Sequence, residues 1–502
     1  MKRTLAIAIS TALGAVSSSS VAVMLNSRGT GQVLIYPYYT VNHQQTLVSV
    51  INTTAHGKAL KVRFREAYDG RDVANFNVYL GPYDSWVGSV FGTGDDGNGA
   101  AAIATNDASC TVPGFIGLGT PVPGVPRVST LVFGNANYSQ GVYGTATGTD
   151  NGPLGLDRTR EGFFEIIEMG EVVDQAIGSP KTLKAITPVN GTPPGCEQVR
   201  DAWESGGYWT TNATTDLLPP AGGLYGAAGI VDVGQGTLYA YDAIAIDGFS
   251  DVVQNSAPGN SKPSLATAIT DSAHDIATAY VPIGNTMIKA DYPASTRGVD
   301  AVSAVLMADT LYNEYDVEAG LGAATDWVVT FPTKQFYVDP GIVDTILQPF
   351  DQVFDSSSCH DMDLQLIDRE GSQVNFSCGF PECPVTSGNY LCYETDVIPF
   401  NVEDDSPSKA LGSRLPRHLD FTSYPIPPAG QFQLYFQVAV EQQLRPSANG
   451  LVFIGLPATG FAATNYINAN VTPGVLSNYS GVYPHRSTAS CTTSTNPQSA
   501  CQ

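Results

Sequence analysis

The fold is decided by three runs near the N-terminus in which apolar and polar side chains alternate. The runs are TLVSVIN (46–52), KVRFR (61–65) and ANFNVYL (74–80), and turn-forming Gly, Asn, Asp and His residues separate them. A period of two residues is that of a strand with one buried and one solvated face. The three runs therefore predict an antiparallel sheet.

The run 61–65 also predicts which side chains lie inside. Val62 and Phe64 share one face and are expected to point into the core. Lys61, Arg63 and Arg65 occupy the alternate positions. Because cationic side chains are seldom fully buried, the pattern predicts that these three face solvent.

The rest of the chain continues in strands. Apolar runs predict strands at 31–41, 129–133 and 162–169, and the last of these is apolar on both faces. The second half adds candidate strands at 237–246, 326–329, 335–338, 362–367, 390–398, 431–440 and 450–454. The run 431–438 is uncharged, so we expect it inside a sheet rather than at an edge.

Helix is scarce and is predicted only at 197–204 and 300–315, where apolar residues recur at helical spacing. The order of strands and turns over residues 30–92 resembles an immunoglobulin-like sandwich. The expected fold is therefore mainly β, with an antiparallel Ig-like sandwich followed by a larger β-rich region. The predicted divisions are a signal peptide (1–22), the sandwich region with long loops (23–160), the second β-rich region (161–485) and a polar tail (486–502). One composite body is the alternative to two domains.

Composition and charge exclude two classes of protein. The 502 residues include 24 Lys+Arg and 47 Asp+Glu, which gives a net charge of −23. The chain contains 24 Tyr and 20 Phe, whereas disordered acidic chains have few aromatic residues. A net charge of −23 repels phosphate, so no nucleic-acid partner is expected. The acidity instead favours solubility and is compatible with divalent cations.

The N-terminus predicts export. Lys2 and Arg3 precede an apolar run at 5–16, and Ser20-Val21-Ala22 forms a small-x-small cleavage site. The apolar run is shorter than the roughly 20 residues that a membrane-spanning helix needs, so no transmembrane helix is expected. The mature chain is predicted to begin near Val23, in the periplasm, on the outer surface or outside the cell. An outer-membrane β-barrel is kept as an alternative, because its strands give only weak signals.

Eight cysteines in an exported chain predict disulfides, although sequence alone allows 105 pairings. Spacing favours Cys491 with Cys501 in the tail, Cys378 with Cys383 around a short loop, and Cys359 with Cys392 across two strand-like runs, which leaves Cys110 with Cys196. The alternative is a zinc site formed by Cys359, His360, Cys378, Cys383 and Cys392. Only the 378/383 pair has the short spacing that structural zinc sites favour, so disulfides are the preferred interpretation.

One loop offers a candidate cation site. Asp95, Asp96 and Asn98 supply hard oxygen ligands on a flexible backbone, which makes calcium the one cofactor the sequence indicates. The loop lacks the alternating acidic ligands and closing Glu of an EF-hand. A solvated acidic loop is the alternative interpretation.

The sequence indicates no catalytic site. Neither G-x-S-x-G nor H-E-x-x-H occurs, and the best carboxylate pair is Glu165 with Glu168. Three residues apart on a strand, the two point to opposite sides, which suits neither glycosidase geometry. Aromatic clusters offer another kind of site, since such rings can stack on sugars or anchor a partner, with core packing as the alternative. The clusters are Tyr36, Tyr38, Tyr39, Tyr208, Trp209, Tyr239 and Tyr241.

Four stretches carry a family resemblance. GQVLIYPYYTV (31–41), the run 157–169, TDWVVTFPTK (325–334) and NYSGVY (478–483) resemble an uncharacterised group of exported β-rich proteins from Gram-negative bacteria. The resemblance implies compartment and β character, and no chemistry. The sequence therefore predicts a cell-surface or periplasmic structural or binding protein without an evident catalytic site, its partner a protein or a polysaccharide. A carboxylate-dependent polysaccharide hydrolase is the alternative.

Overall fold

The computed structural model confirms a mainly β fold. It describes residues 22–94, 98–117, 129–139, 150–175, 178–342, 348–374, 390–401, 407–419, 421, 426–437, 439–468, 472, 474–475 and 477–501. Every pair of strands named below is antiparallel. None of the helices in these residues is long and apolar enough to cross a membrane.

The described residues of the first half form fifteen strands. They are β1 Met24–Leu25, β2 Val33–Thr40, β3 Gln45–Asn52, β4 Gly57–Glu66, β5 Asp72–Leu80, β6 Ser85–Gly92, β7 Ala101–Thr105, β8 Cys110–Val112, β9 Ile116–Gly117, β10 Ser129–Val132, β11 Glu161–Val172, β12 Leu217–Leu218, β13 Leu224–Asp232, β14 Thr237–Asp242 and β15 Ile244–Asp247.

The second half adds β16 Ile276–Ile283, β17 Thr286–Pro293, β18 Met307–Ala308, β19 Thr310–Asp316, β20 Ala323–Thr330, β21 His360–Asp361, β22 Asp363–Asp368, β23 Gln373–Val374, β24 Tyr390–Leu391, β25 Thr395–Pro399, β26 Ala429–Tyr435, β27 Leu451–Ile454, β28 Leu456–Pro457, β29 Thr459–Tyr466, β30 Tyr479–Pro484, β31 Arg486–Thr488, β32 Ser490–Thr493 and β33 Asn496–Ala500. The α-helices are α1 Ala136–Ser139, α2 Thr182–Ile186, α3 Cys196–Asp201, α4 Tyr208–Thr211, α5 Ala294–Leu306 and α6 Gln335–Val338. Single 3₁₀ turns lie at Leu156–Arg160, Leu265–Thr267 and Ala319–Leu321.

Two sheets share the first hydrophobic core. Sheet A has the strand order β1-β15-β2-β11-β4-β5-β8, with β12 beside β11. Sheet B has the order β14-β13-β3-β6-β7-β10-β9. Leu60, Val62 and Phe64 of sheet A pack in one cluster with Val50 and Trp86 of sheet B. Because β11 pairs with both β2 and β4, sheet A combines chain from before and after residue 160.

The second half of the chain covers the other face of sheet A. Ile35 and Phe163 point away from sheet B and pack with Val302 of α5. The prediction that Lys61, Arg63 and Arg65 face solvent is therefore wrong, since all three are at most 3% exposed. Arg63 and Arg65 are buried with carboxylates, as described below. The alternation does predict strand β4, but both faces of this sheet are covered.

Within the described residues, the two largest sheets of the second half are sheets C and D. Sheet C has the order β23-β22-β26-β19-β31, and sheet D has the order β25-β20-β29-β30. The uncharged run 431–438 lies largely in β26, which is paired on both sides, so the prediction of an interior position is confirmed. Trp327 of β20 and Phe432 of β26 join the two sheets, with ring centroids 4.7 Å apart.

Two secondary-structure predictions are wrong. The helix predicted at 300–315 ends at Leu306, and residues 310–316 form β19. This segment carries the β-favouring Thr310, Tyr312 and Tyr315, and pairing with β26 outweighs the helical spacing. Residues 335–338, predicted as a strand, form the short helix α6.

Three of the expected disulfides are present. Cys110 bonds Cys196, Cys359 bonds Cys392, and Cys491 bonds Cys501. The fourth expected pair, Cys378 with Cys383, lies outside the described residues. Because the Cys359 and Cys392 sulfurs are bonded to each other, they do not form the alternative zinc site in this state.

Candidate functional site

An open cleft of about 730 Å³ lies where the outer face of sheet C meets β29 and β30. Aromatic rings, amides and charged groups line it together. The main lining residues are Tyr312, Glu314, Asp368, Gln431, Tyr483 and Arg486. A concave surface with convergent polar groups is the usual form of a small-ligand site.

The strand register of sheet C brings these groups together. Tyr312 on β19 is directly opposite Gln433 on β26 and Arg486 on β31. Glu314 is opposite Gln431. Because side chains alternate across a strand, the polar residues share the outer face while their neighbours pack inward.

The row containing Tyr312 extends across the sheet. Gln433 is opposite Gln365 of β22, so two amides continue the row beyond β19. The hydroxyl of Tyr435 donates to Gln365 Oε1 at 3.0 Å and also contacts Gln433. The outer face of sheet C thus presents a half-buried row of amides and tyrosines.

The wall of the cleft is fixed to this surface by hydrogen bonds. Tyr466 of β29 donates its hydroxyl to Asp316 Oδ2 at 3.3 Å. Burial and the Asp316 carboxylate raise the pKa of Tyr466 to about 12, so the hydroxyl keeps its proton near neutral pH. Asn313 Nδ2 donates to the Tyr483 carbonyl at 2.6 Å. These bonds hold Tyr483, whose side chain is 43% exposed, beside the ligand-accessible space.

An aromatic pair packs beneath strand β19 at the floor of the cleft. Trp327 Nε1 donates to the Glu314 carbonyl at 3.1 Å, and its ring lies 4.4 Å from that of His485. Burial lowers the pKa of His485 to about 3, so this imidazole is neutral at physiological pH. Trp327 of the TDWVVTFPTK motif thus supports the backbone of β19, the strand that carries the cleft residues Tyr312 and Glu314.

Carboxylates and guanidinium groups meet at the cleft. Glu314 and Asp316 point to the same side of β19, with Cα atoms about 7 Å apart, the spacing of alternate strand residues. Arg369, which lines the cleft, has its Nη2 3.3 Å from Oε2 of Glu318, a residue that does not line it. The cleft therefore offers both hydrogen-bond acceptors and donors to a polar ligand.

The carboxylates singled out in the sequence lie elsewhere. Glu165 Oε1, on strand β11 of sheet A, is 3.1 Å from Arg65 Nη2 and 3.3 Å from Arg63 Nη1, and all three side chains are buried. Glu168 Oε1 is 2.7 Å from Lys58 Nζ, also fully buried. Both therefore serve in buried ion pairs and do not line the cleft.

The candidate calcium loop is only partly described. Asp95 and Asp96 lie outside the described residues. The Asn98 carbonyl accepts a hydrogen bond from Arg160 Nη1 at 3.2 Å. Calcium at this loop stays a prediction.

The aromatic clusters noted in the sequence are mostly core. Tyr36, Tyr38 and Tyr39 are fully buried, and Tyr36 stacks on Phe164 with centroids 4.1 Å apart. Trp209 is likewise buried. Sequence reasoning missed the tyrosines of the cleft, because the segment containing Tyr312 was interpreted as helix. Strand alternation at 310–316 is the signal that identifies them.

A second buried cluster surrounds Lys334, the last residue of the TDWVVTFPTK motif. Its ammonium donates to the carbonyls of Ser358 at 2.7 Å and Tyr393 at 3.1 Å. Burial lowers the pKa of Lys334 and raises the pKa of the neighbouring Glu394 and Asp396. Because all three groups are buried inside the fold, they affect its stability and are not accessible to a ligand.

A different groove of about 580 Å³ crosses the outer face of sheet B. Leu47, Val87 and Leu238 line it and are about half exposed, beside small residues such as Gly88 and Ala227. Few polar groups are available there to orient a ligand. The cleft on sheet C is therefore the better candidate for specific recognition.

Comparison of the chain with protein-family models, with curated proteins and with solved structures gives no match. The functional argument consequently depends on the geometry of the cleft.

Proposed function

We propose that this protein is an exported binding protein that recognises a saccharide in the cleft of sheet C. The observation that supports this most directly is the shared face of Tyr312, Glu314 and Gln431, closed on one side by Tyr466 and Tyr483. A cell-surface or periplasmic polysaccharide is the expected source of the ligand.

The chemistry of the lining fits a sugar. Tyrosine rings present an apolar face with a polar edge, which matches the C–H face and the hydroxyl rim of a pyranose. Amides both donate and accept hydrogen bonds, and carboxylates accept them, as a dense set of hydroxyl groups requires. The Arg486 guanidinium adds donors at the rim. The net charge of −23 argues against nucleic acid as the ligand.

Export is part of the proposal. The charged and apolar pattern of residues 1–22 supports a cleaved signal. Three disulfides support an oxidising compartment, because such bonds are rare in cytosolic proteins.

A polysaccharide hydrolase is the second candidate. Glu314 and Asp316 line the same side of the cleft as alternate residues of β19, and a pair of carboxyl groups is what most glycosidases use. Asp316 already accepts hydrogen bonds from the backbone N–H of Glu318 and from Tyr466, which suits a structural role. Binding without turnover is therefore the primary proposal.

Affinity electrophoresis tests the proposal. The mature protein is run through gels containing a neutral glucan, soluble chitin or a uronic-acid polymer, and eluted polymer is assayed for new reducing ends. Retardation by at least one polymer, without reducing ends, is expected. Reducing ends that disappear in Glu314→Gln would establish the hydrolase instead, and no retardation by any polymer would contradict both.

A further inference from the structure

The Cys359–Cys392 disulfide lies against an imidazole. The two sulfurs and a ring nitrogen of His418 all lie within 4.8 Å of one another. Cys392 is fully buried and Cys359 partly so. Two sulfurs and one imidazole at this separation form the ligand set of a small metal centre once the S–S bond is broken.

His418 is available as a ligand. Its Nδ1 is buried and makes no hydrogen bond within the described part of the chain. The ring is held by Tyr393, with centroids 5.2 Å apart. A buried ring nitrogen without a partner loses hydration free energy, and a metal ion bound there restores a partner.

The backbone around both cysteines is held by polar contacts that do not involve the sulfurs. Lys334 Nζ binds the carbonyl of Ser358, which precedes Cys359, and that of Tyr393, which follows Cys392. Asp396 accepts the N–H of Cys392 at 3.3 Å. These contacts keep the two thiols together after reduction.

We propose that the reduced chain binds one Cu⁺ ion through Cys359, Cys392 and His418. Thiolates are soft ligands that select Cu⁺, and two sulfurs with one nitrogen supply a trigonal site. Structural zinc sites almost always have four protein ligands. Within the described residues no fourth His, Cys, Asp or Glu joins this group. Both ring nitrogens of the nearby His360 already have hydrogen-bond partners: Nδ1 lies 2.7 Å from Asp351 Oδ1, and Nε2 lies 3.1 Å from Ser358 Oγ.

The redox step is a thiol–disulfide exchange. Two electrons from a dithiol break the Cys359–Cys392 bond, the dithiol becomes a disulfide, and its two protons pass to the cysteines. Binding of Cu⁺ then displaces both protons, because the thiolate is the metal ligand. Exchange with a small-molecule disulfide reverses the step: the two thiolates re-form the Cys359–Cys392 bond, and their two electrons reduce the added disulfide, which takes up two protons to become a dithiol. The Cu⁺ ion loses both sulfur ligands and is released.

Competition with a chromophoric Cu⁺ chelator tests the proposal. The folded full-length chain is reduced with a dithiol, freed of reductant without oxygen, and titrated against the Cu⁺–bicinchoninate complex. We expect one equivalent of copper to be withdrawn by the reduced protein and none by the oxidised protein. Because Cys378 and Cys383 are also reduced, the variant Cys378→Ser/Cys383→Ser must still withdraw it, as must Cys491→Ser/Cys501→Ser.

Three results would overturn the proposal. They are undiminished binding in Cys359→Ser/Cys392→Ser, affinity within threefold of wild type in His418→Ala, and loss of near-ultraviolet circular dichroism on reduction. Loss of the imidazole should weaken binding at least about tenfold, as even outer-shell changes do. X-ray absorption of the loaded wild type covers the case of unstable variants: two sulfurs and one nitrogen around copper are expected, and any other first shell contradicts the site.

Discussion

Glu165 Oε1 lies 3.1 Å from Arg65 Nη2 in a fully buried ion pair on the face of sheet A that was expected to meet solvent. Arg63 contacts the same carboxylate at 3.3 Å and Asp72 at 2.9 Å. Burial of an unpaired charge on a sheet covered on both faces costs free energy, and the carboxylates offset this cost for Arg63 and Arg65. Arg65 also contacts Gln335, and Arg63 donates to the Pro263 carbonyl, so the same cations touch the second half of the chain, which covers this face.

The variant Glu165→Ala is expected to lower the free energy of unfolding by about 3–5 kcal/mol, because it leaves the buried Arg65 and Arg63 charges undercompensated. Urea denaturation measures the loss. The matched control is Glu197→Ala, which breaks the exposed pair with Arg200 and should cost under about 0.5 kcal/mol. Equal effects of the two variants would contradict the role of the buried pair.

Lys61 predicts a pH dependence of stability. Burial lowers the pKa of Lys61 from 10.5 to about 7, and its Nζ donates only to the Ala257 carbonyl among the bonds described. The unfolded chain binds the proton more tightly than the folded chain, so this group adds stability as pH rises from about 7 to about 10.5.

We therefore expect Lys61→Met to be more stable than wild type below pH 7, by roughly 2–4 kcal/mol, and the difference to shrink toward pH 10. Lys58→Met is the control. This substitution leaves Glu168 and Glu171 without their cation, so it should destabilise the folded protein at every pH in this range. A constant difference between wild type and Lys61→Met at all pH values would contradict the assignment.

The contribution of each disulfide to the free energy of unfolding should increase with the length of the loop that it closes. Cys110 and Cys196 are 86 residues apart, and Cys491 and Cys501 are 10 apart. In the chain-entropy account the first bond contributes about 4–5 kcal/mol and the second about 3 kcal/mol. Serine replacement of each pair, followed by thermal unfolding, measures the order. A larger loss from the tail pair would show that loop length does not govern these contributions.

Much of the fold could be predicted from the sequence because alternation is a local signal. The runs 46–52, 61–65 and 74–80 lie within β3, β4 and β5. The orientation of Arg65 could not be predicted, since it depends on what packs against the sheet from hundreds of residues away. Its neighbour Gln335 is 270 residues distant in the chain.

The cleft could not be predicted either, because it too depends on contacts between residues far apart in the sequence. Tyr312, Gln431 and Arg486 are adjacent only through the register of β19, β26 and β31. The apolar spacing at 300–306 correctly predicts helix, since these residues form the C-terminal half of α5, but extension of that pattern to 315 hid the strand that carries Tyr312. The three described disulfides were predictable because spacing and loop size restrict them.

The measurement that tests the central claim most directly is binding to an array of bacterial surface glycans by wild type, Tyr312→Ala/Gln431→Ala and Tyr83→Asn. Tyr83 is a 70% exposed tyrosine outside the cleft with a φ of 55°, a conformation that Asn tolerates. We expect wild type and Tyr83→Asn to bind the same glycans, and the cleft variant to bind them at least about tenfold more weakly, a loss of about 1.4 kcal/mol. Equal binding by all three proteins, or binding by none, would contradict saccharide recognition in this cleft.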